Sequence, residues 1–402
     1  PFERTASGKI KRGLPHGKVS REIKAPETKF EKKVYGAVFD LLGTKDISMT
    51  DNFFAIGGTS LNAVELAVAL HVKPQTVYDN PVLSALAASL SEENASLEAR
   101  VPHINEIIRE TSGGKRDTPY TCALVTGATG FLGMHILKKL TGENIKLYCL
   151  VRSEKNFDKN AEYYFGGFPE KSEICFVEGD IEKERFGLTR EDYDALAEKV
   201  DTVFHTAANV HHAGDYADLE RTNVLGTKNV IAFCRKAGAV LQHTSTVSVH
   251  GAATVIEKTE KAVFDENILD IGQHYGDNVY IHSKYCAEEQ VLLARRNGLQ
   301  ANIFRIGNLT WRRSDGVFQI NDADNGFLHR LKAILKLGMV HEGMDKYPMD
   351  LTPVDDCADA YVRLALSGDI NRIWHMFNQH FLDARDLFRL LGREYRFIST
   401  AE

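Results

Sequence analysis

The sequence predicts a multidomain chain: a small all-α bundle, then a doubly wound parallel α/β sheet with a smaller C-terminal subdomain. Three observations carry this. Between residues 27 and 90 apolar side chains recur at helical spacing. From residue 118 onward short apolar runs alternate with helical patterns, the rhythm of a parallel sheet. The segment VTGATGFLG (125–133) spaces its glycines between the first such run and a helix continuing as MHILKKL. With 402 residues the chain has room for two or three domains.

The elements follow in order. Residues 1–26, rich in Lys, Gly and Pro, read as a tail or linker. The first 33 residues hold ten Lys/Arg against four Asp/Glu, which fits a solvated basic stretch. Phe30, Val34, Val38 and Leu41/Leu42 share one helical face, and Gly43 supplies a stop. A second helix starts at Ser60 with Leu61, Val64 and Val68 on one face, and a short final helix runs from about Pro81 to Leu90. Residues 91–117, polar and ending SGGKRDTP, read as a linker to the remainder. In 118–402 the runs CALVTG, IKLYCLV, EICFVE, DTVFHTA, AVLQHTS and ANIFRI read as strands of a Rossmann-type sheet.

Composition narrows the function classes. A chain 43% hydrophobic and 26% charged has the make-up of a soluble globular protein. No apolar run approaches the ~20 residues of a membrane span, and no signal peptide opens the chain, so a cytoplasmic protein is expected. A net charge of −6 argues against a nucleic-acid binder. The six cysteines (Cys122, Cys149, Cys175, Cys234, Cys286 and Cys357) include no C-x-x-C pair and read as reduced, buried thiols. His205, His211 and His212 lack carboxylate or cysteine partners at ligand spacing, so no metal is expected.

The stretch DNFFAIGGTSL (51–61) places a serine on a glycine turn at a helix start, with no base beside it. A plain reading makes Ser60 an N-cap. The motif, however, resembles the attachment site of thiolation (peptidyl carrier) domains of non-ribosomal peptide synthetases, a likeness spanning 27–90. It implies that Ser60 carries 4′-phosphopantetheine, installed by a phosphopantetheinyl transferase, with an acyl or peptidyl thioester on the arm. A helix N-terminus suits the phosphodiester, and the glycines let a partner enzyme approach. Phe53 and Phe54 would anchor the loop. The connection 67–81 is shorter than in typical carrier domains. The tail RTASGKIKR (4–12) resembles the closing motif of adenylation domains, where the equivalent of Lys9 contacts the acyl-adenylate. Only that tail is present, so no adenylation activity is expected of this chain. The resemblance implies upstream adenylation and condensation domains as partners.

In VTGATGFLG, Gly127 permits the turn, Gly130 lets backbone approach a pyrophosphate, and Gly133 lets helix and strand pack closely. The loop's Thr129, Phe131 and Leu132 join the predicted cofactor contacts. The second strand ends CLVRSEK, with Arg152 where NAD sites usually carry an acidic residue. A guanidinium there can pair a 2′-phosphate, which predicts NADPH over NADH. Asp180 and Ile181 sit where an adenine contact is expected. Ala207, Ala208 and Asn209, in HTAAN, would line the cofactor after the fourth strand.

Tyr280 and Lys284, in YIHSK, are four apart and share a helix face; Thr246 closes the fifth strand. Together they resemble the Thr/Ser–Tyr–Lys constellation of extended short-chain dehydrogenases. The match is close to the thioester reductase domains that terminate non-ribosomal synthetases and carboxylic acid reductases. That likeness covers about 118–402, with NVLGT (223–227, opening on Asn223, another implied cofactor contact), FRIGN (304–308) and TPVDDCADA (352–360). It implies that Lys284 holds the nicotinamide ribose and lowers the phenol pKa, that Tyr280 is the acid, and that Thr246 donates a second hydrogen bond. Hydride would reach the thioester carbonyl, and the hemithioacetal would collapse to aldehyde and thiol; a second reduction would give the alcohol. Reductase domains of this kind usually continue past FISTAE, which implies that part of the substrate-facing subdomain is absent. Three other readings stay open: a carboxylic acid or aminoadipate reductase fragment, a carrier fused to a non-catalytic NADP-binding docking domain, and a nucleotide-sugar epimerase. The epimerase leaves 51–61 unexplained.

Overall fold

The computed structural model describes residues 23–399 apart from 44–46, 71, 73, 212–214, 252–262, 274, 276–277, 322–324, 343–347, 391 and 393, and leaves out the side chains of 68 and 92–103. Lys9 with most of its tail, and His212, lie outside the described residues. The chain divides into two compact units, Pro1–Ala99 and Arg100–Glu402.

The first unit is helical. Helix α1 (Lys29–Leu42) opens on a capping box: Thr28 Oγ1 accepts the Glu31 N–H at 3.1 Å, and Glu31 Oε2 accepts the Thr28 N–H at 3.0 Å. It ends on Gly43 at φ +64°. Helices α2 (Ser60–Leu70) and α3 (Pro74–Asp79) follow, then α4, which starts at Leu83. Val34, Val38, Phe53, Leu66, Val77 and Leu86 meet in the core. The six-residue α3 occupies a stretch that reads from sequence only as a connection.

Helix α4 runs from Leu83 to Thr111, well past the expected end at Leu90, so most of the expected linker 91–117 is helical. Ile104, Ile107 and Ile108 explain this. They repeat at helical spacing beyond the polar stretch and are buried in the second unit's core.

In the second unit β1 (Cys122–Thr126), α5 (Phe131–Leu140), β2 (Lys146–Val151), α6 (Glu154–Phe165) and β3 (Ile174–Glu178) form the first half. After α7 (Arg190–Ala197) come β4 (Thr202–His205), α8 (Tyr216–Leu219), α9 (Gly226–Ala237) and β5 (Val240–Thr246). Helix α10 (Val279–Arg296) and β6 (Ala301–Ile306) follow, then β7 (Leu309–Thr310), α11 (Gly326–Leu337), β8 (Met339–His341) and β9 (Thr352–Pro353). The order closes with α12 (Val354–Leu366), β10 (Ile373–Met376), α13 (Ala384–Leu390) and β11 (Arg396–Ile398).

Among the described residues the main sheet has seven strands, ordered β10-β6-β5-β4-β1-β2-β3, with every pairing parallel. The order reverses between β1 and β4, which makes their C-terminal ends the crevice of a Rossmann-type sheet. Cys122 and Leu124 enter the core on one face, Ala123 and Val125 that on the other. Burial on both faces is why these strands read as continuous apolar runs. The edge strand β10 is absent from the sequence expectation: IWHM is four residues long and mixes polar with apolar. A smaller C-terminal part pairs β8 with β11 around Val340, Ala384 and Phe388.

Candidate active site

The loop after β1 is built around its glycines. Gly127 has φ +73°, and a Cβ there would lie 2.5 Å from the Ala207 nitrogen. A Cβ on Gly133 would lie 2.1 Å from the Gly127 oxygen, so α5 rests directly on the turn. Gly130 N-caps α5, is exposed, and donates to the Gly127 oxygen at 2.9 Å. The first-turn N–H groups of α5 therefore face the mouth of the β1/β4 crevice, a ready anion site. The Thr129 carbonyl is tied to Asn160 at 2.8 Å, the Phe131 ring packs on His135, Tyr164 and Phe318, and Leu132 is buried.

Thr206 Oγ1 donates to the Thr126 carbonyl at 2.7 Å, which brings Ala207 and Ala208 over that loop. Asn209 is clamped by Asn223: its N–H donates to Asn223 Oδ1 at 2.7 Å, and its carbonyl accepts from Asn223 Nδ2 at 2.9 Å. Asn223 is itself buried, in a π-helical turn (Glu220–Leu225) that joins α8 to α9, and its amide also donates to Ser283 Oγ at 2.8 Å. Ser283 in turn donates to the Tyr280 carbonyl at 2.8 Å. One chain of bonds thus links the crevice to the start of α10.

Asn278 caps that helix through the Ile281 N–H at 3.1 Å, placing Tyr280 in the first turn. The Tyr280 hydroxyl hydrogen-bonds with the Thr246 side chain. Lys284, one turn further on, is buried and donates from Nζ to the Thr244 carbonyl at 2.7 Å. Burial pushes Tyr280 up to about 12, against a downward pull from Thr246. Burial is the larger of these two influences on the phenol, and Lys284 is not among them. Burial also brings Lys284 down to about 8, with Glu288 opposing it. At neutral pH the site holds a protonated phenol beside a largely cationic lysine.

The remaining expected cofactor residues are not drawn into this network. Arg152 is exposed just after β2 and has no ion-pair partner among the described residues. Asp180 Oδ1 accepts the Glu182 N–H at 3.0 Å, and Ile181 packs on Gly226, where a Cβ would come within 2.7 Å. His205 is buried between Thr126 Oγ1 at 2.8 Å and Thr227 Oγ1 at 3.1 Å, and burial takes it down to about 3, so it is a neutral structural side chain. Among the described residues no three His, Cys, Asp or Glu side chains are grouped to hold a metal ion, and no helix is long and apolar enough to cross a membrane.

In the first unit Ser60 begins α2, is exposed, and its hydroxyl has no hydrogen-bond partner among the described residues. The cap belongs to its neighbour. Thr59 Oγ1 accepts the Asn62 N–H at 3.2 Å, while Asn62 Oδ1 accepts the Thr59 N–H at 3.1 Å. Gly58 is required by packing: a Cβ would sit 2.5 Å from the buried Phe53 ring. Phe54 stacks on Tyr78, whose hydroxyl reaches the Ser60 carbonyl at 3.4 Å.

Sequence reasoning missed Asn105, Ser283, Glu288 and Arg305. Two of them left a signal. Glu288 continues the spacing of Tyr280 and Lys284, and Arg305 puts a charge inside the apolar run ANIFRI.

A parallel sheet with a glycine-cradled crevice and a Thr–Tyr–Lys set on the next strand and helix defines a nicotinamide-dinucleotide-dependent reductase of the extended short-chain dehydrogenase type. The chain belongs to the NAD-binding family described as Male sterility protein, which matches residues 125–361. It is 28% identical over 424 residues to a linear gramicidin synthase of Brevibacillus parabrevis, covering 96% of this chain and 8% of that protein. It is 27% identical over 393 residues to the large chain of the L-2-aminoadipate reductase of Candida glabrata, covering 85% of this chain and 28% of that protein. The chain thus spans a small part of these relatives' length. Among solved structures, a thiolation-reductase di-domain from an archaeal non-ribosomal peptide synthetase is 31% identical with a TM-score of 0.62, covering 92% of this chain and 83% of that one.

Proposed function

We propose that this chain is a carrier–reductase pair. Residues 27–90 of the first unit carry an aminoacyl or peptidyl thioester on 4′-phosphopantetheine at Ser60, and the second unit releases it as an aldehyde with NADPH. The observation that carries the reading is the hydrogen-bonded Thr246–Tyr280 pair with Lys284 one helical turn away, joined through Ser283, Asn223 and Asn209 to the glycine crevice. Two further observations support it. Ser60 is exposed and relieved of capping by Thr59. The archaeal di-domain and the gramicidin synthase are similar along 92% and 96% of the chain.

The glycine cradle fits a dinucleotide, since Gly127 and Gly133, where a Cβ would strike Ala207 and the Gly127 carbonyl, hold the turn tight against α5 as a pyrophosphate-binding loop requires. Gly127, Thr129, Gly130 and the first turn of α5 would hold the pyrophosphate. Asp180 and Ile181 would face the adenine, Arg152 the 2′-phosphate, Ala207, Ala208 and Asn209 the nicotinamide half, and Lys284 its ribose. When bound, the nicotinamide supplies the hydride. Tyr280, protonated up to about pH 12, holds a proton against the thioester oxygen and donates it as negative charge develops there. The Thr246 hydroxyl gives that oxygen its second hydrogen bond. Release leaves an aldehyde and the free pantetheine thiol; a second turnover would give the alcohol. Tethering on one chain supplies a high effective concentration.

Upstream adenylation and condensation domains and a phosphopantetheinyl transferase are the partners this role requires, in the cytoplasm. The 27% identity to aminoadipate reductase favours a second reading, a fragment of a carboxylic acid or aminoadipate reductase, with the same chemistry on a different acyl group.

The test is to charge Ser60 with an acyl-pantetheine arm, add NADPH, and follow cofactor absorbance and released aldehyde. Wild type oxidises NADPH and Tyr280→Phe does not. Equal rates remove the proposed acid, preference for NADH removes the role of Arg152, and failure to charge Ser60 removes the carrier.

A further inference from the structure

Arg305 is the largest fully buried side chain among the described residues, and all five of its N–H groups are used. Nε and Nη2 donate to Glu288 Oε1 at 3.0 and 2.7 Å. Nη1 donates to the Asp265 carbonyl at 2.9 Å and to His375 Nε2 at 3.0 Å, and Nη2 also reaches the Ile268 carbonyl at 2.9 Å. The guanidinium lies 4.5 Å over the Phe264 ring, which stacks on His375. On the other side, Glu288 Oε2 accepts from Ser245 Oγ at 2.5 Å.

These contacts meet at the proposed site. Tyr280, Lys284 and Glu288 follow one another at four-residue steps on α10, so they line one face. Ser245 immediately precedes Thr246, and the segment around 264–273 leads into α10. Asn105 holds that segment from α4: its Oδ1 accepts the Leu269 and Asp270 N–H groups at 2.9 and 3.1 Å, and its Nδ2 donates to the Asp270 carbonyl at 2.7 Å.

A buried ion pair is a poor way to gain stability, because desolvating both ions offsets their attraction and a well-packed apolar pair does as well. What apolar side chains cannot do is reach two carbonyls, one serine and one imidazole at fixed angles. We propose that Glu288 and Arg305 are a positioning pair that locks the end of β5, the face of α10 and the 264–273 segment into the register the Thr246–Tyr280–Lys284 site requires. The inference rests on the reductase reading given above. Neither side chain touches substrate. Their effect passes through Thr246 and Tyr280.

The test uses the full chain and the Glu288→Leu/Arg305→Met double variant, which replaces both ions by side chains of similar volume. Three quantities are read: the unfolding midpoint, kcat and KM for NADPH with a soluble acyl-pantetheine thioester, and amide hydrogen exchange. Expected is an unfolding midpoint close to wild type. With it come a kcat lower by about tenfold or more at nearly unchanged KM, and exchange in 264–273 faster by about tenfold. A wild-type kcat or wild-type exchange in the double variant overturns the proposal. Should the double variant not fold, Arg305→Lys is judged by the same two readings, since a lysine keeps the charge but loses the fork. If wild-type protein oxidises no NADPH with any thioester, the reductase reading falls and exchange alone decides: acceleration confined to 264–273 upholds the pair, and none overturns it.

Discussion

Lys284 carries a cost that can be measured apart from any activity. It is 4% exposed, and burial takes its pKa from 10.5 to about 8. A shift of that size corresponds to about 3 kcal/mol of destabilisation while the group is charged in the folded state and free in the unfolded one. The sign follows from proton counts. Between about pH 8 and 10.5 the unfolded chain keeps the proton that the folded chain has shed, so stability contributed by this group rises with pH across that window. Lys284→Met removes the titration. At pH 7 the variant should be more stable than wild type by roughly 2 kcal/mol, the charge term less about 1 kcal/mol for the lost bond to the Thr244 carbonyl. The difference should shrink steadily from pH 8 and vanish, or turn slightly against the variant, near pH 10.5. Urea denaturation of both proteins from pH 7 to 10.5 checks this, because His205 and His243, which feel the Lys284 charge, are held by burial far below that range and stay neutral in both. A stability difference that ignores pH would refute the argument that the lysine is charged and desolvated in the folded protein. The same variant should be inactive, a trade of stability for function.

Tyr280→Phe keeps the ring and loses the proton and the bond to Thr246; NADPH oxidation should fall by about a hundredfold or more, read from cofactor absorbance. Gly133→Ala forces a methyl to 2.1 Å from the Gly127 oxygen, so calorimetry should find cofactor binding abolished and the second unit destabilised by about 1–3 kcal/mol. Arg152→Ala should raise KM for NADPH by about tenfold and leave that for NADH unchanged, since only the phosphate loses its partner. Thr59→Ala should cost the first unit about 1 kcal/mol in thermal unfolding while Ser60 remains chargeable.

Much of the second unit was legible because its strands are buried on both faces. A continuous apolar run such as CALVT leaves little freedom for another assignment, and the glycine loop fixes where the chain turns. Strand β10 escaped because an edge strand needs burial at only two positions, Ile373 and Met376. The end of α4 escaped for a different reason: helical spacing in Ile104, Ile107 and Ile108 resumes only after a polar interval. At the proposed site, the residue types assigned to the chemistry are advertised by spacing, as with Tyr280 and Lys284. Residues that hold the backbone around them, such as Asn105 and Asn223, have partners far away in sequence and leave no local pattern. The upward push on Tyr280 is equally invisible in the sequence, since burial depends on everything packed around a group and not on its neighbour four residues away.

The turn Glu220–Leu225 holds one residue more per loop than an ordinary helix would. Removing one residue after Asn223 would restore regular coiling and swing Asn223, with the turns before it, by about 100° around the axis relative to α9. Asn223 would then point away from both Asn209 and Ser283, uncoupling the nucleotide crevice from the tyrosine without altering any group that takes part in the reaction. Chain length at this spot therefore matters as much as residue identity, and a related sequence one residue shorter here would have to tie its two halves together by other means.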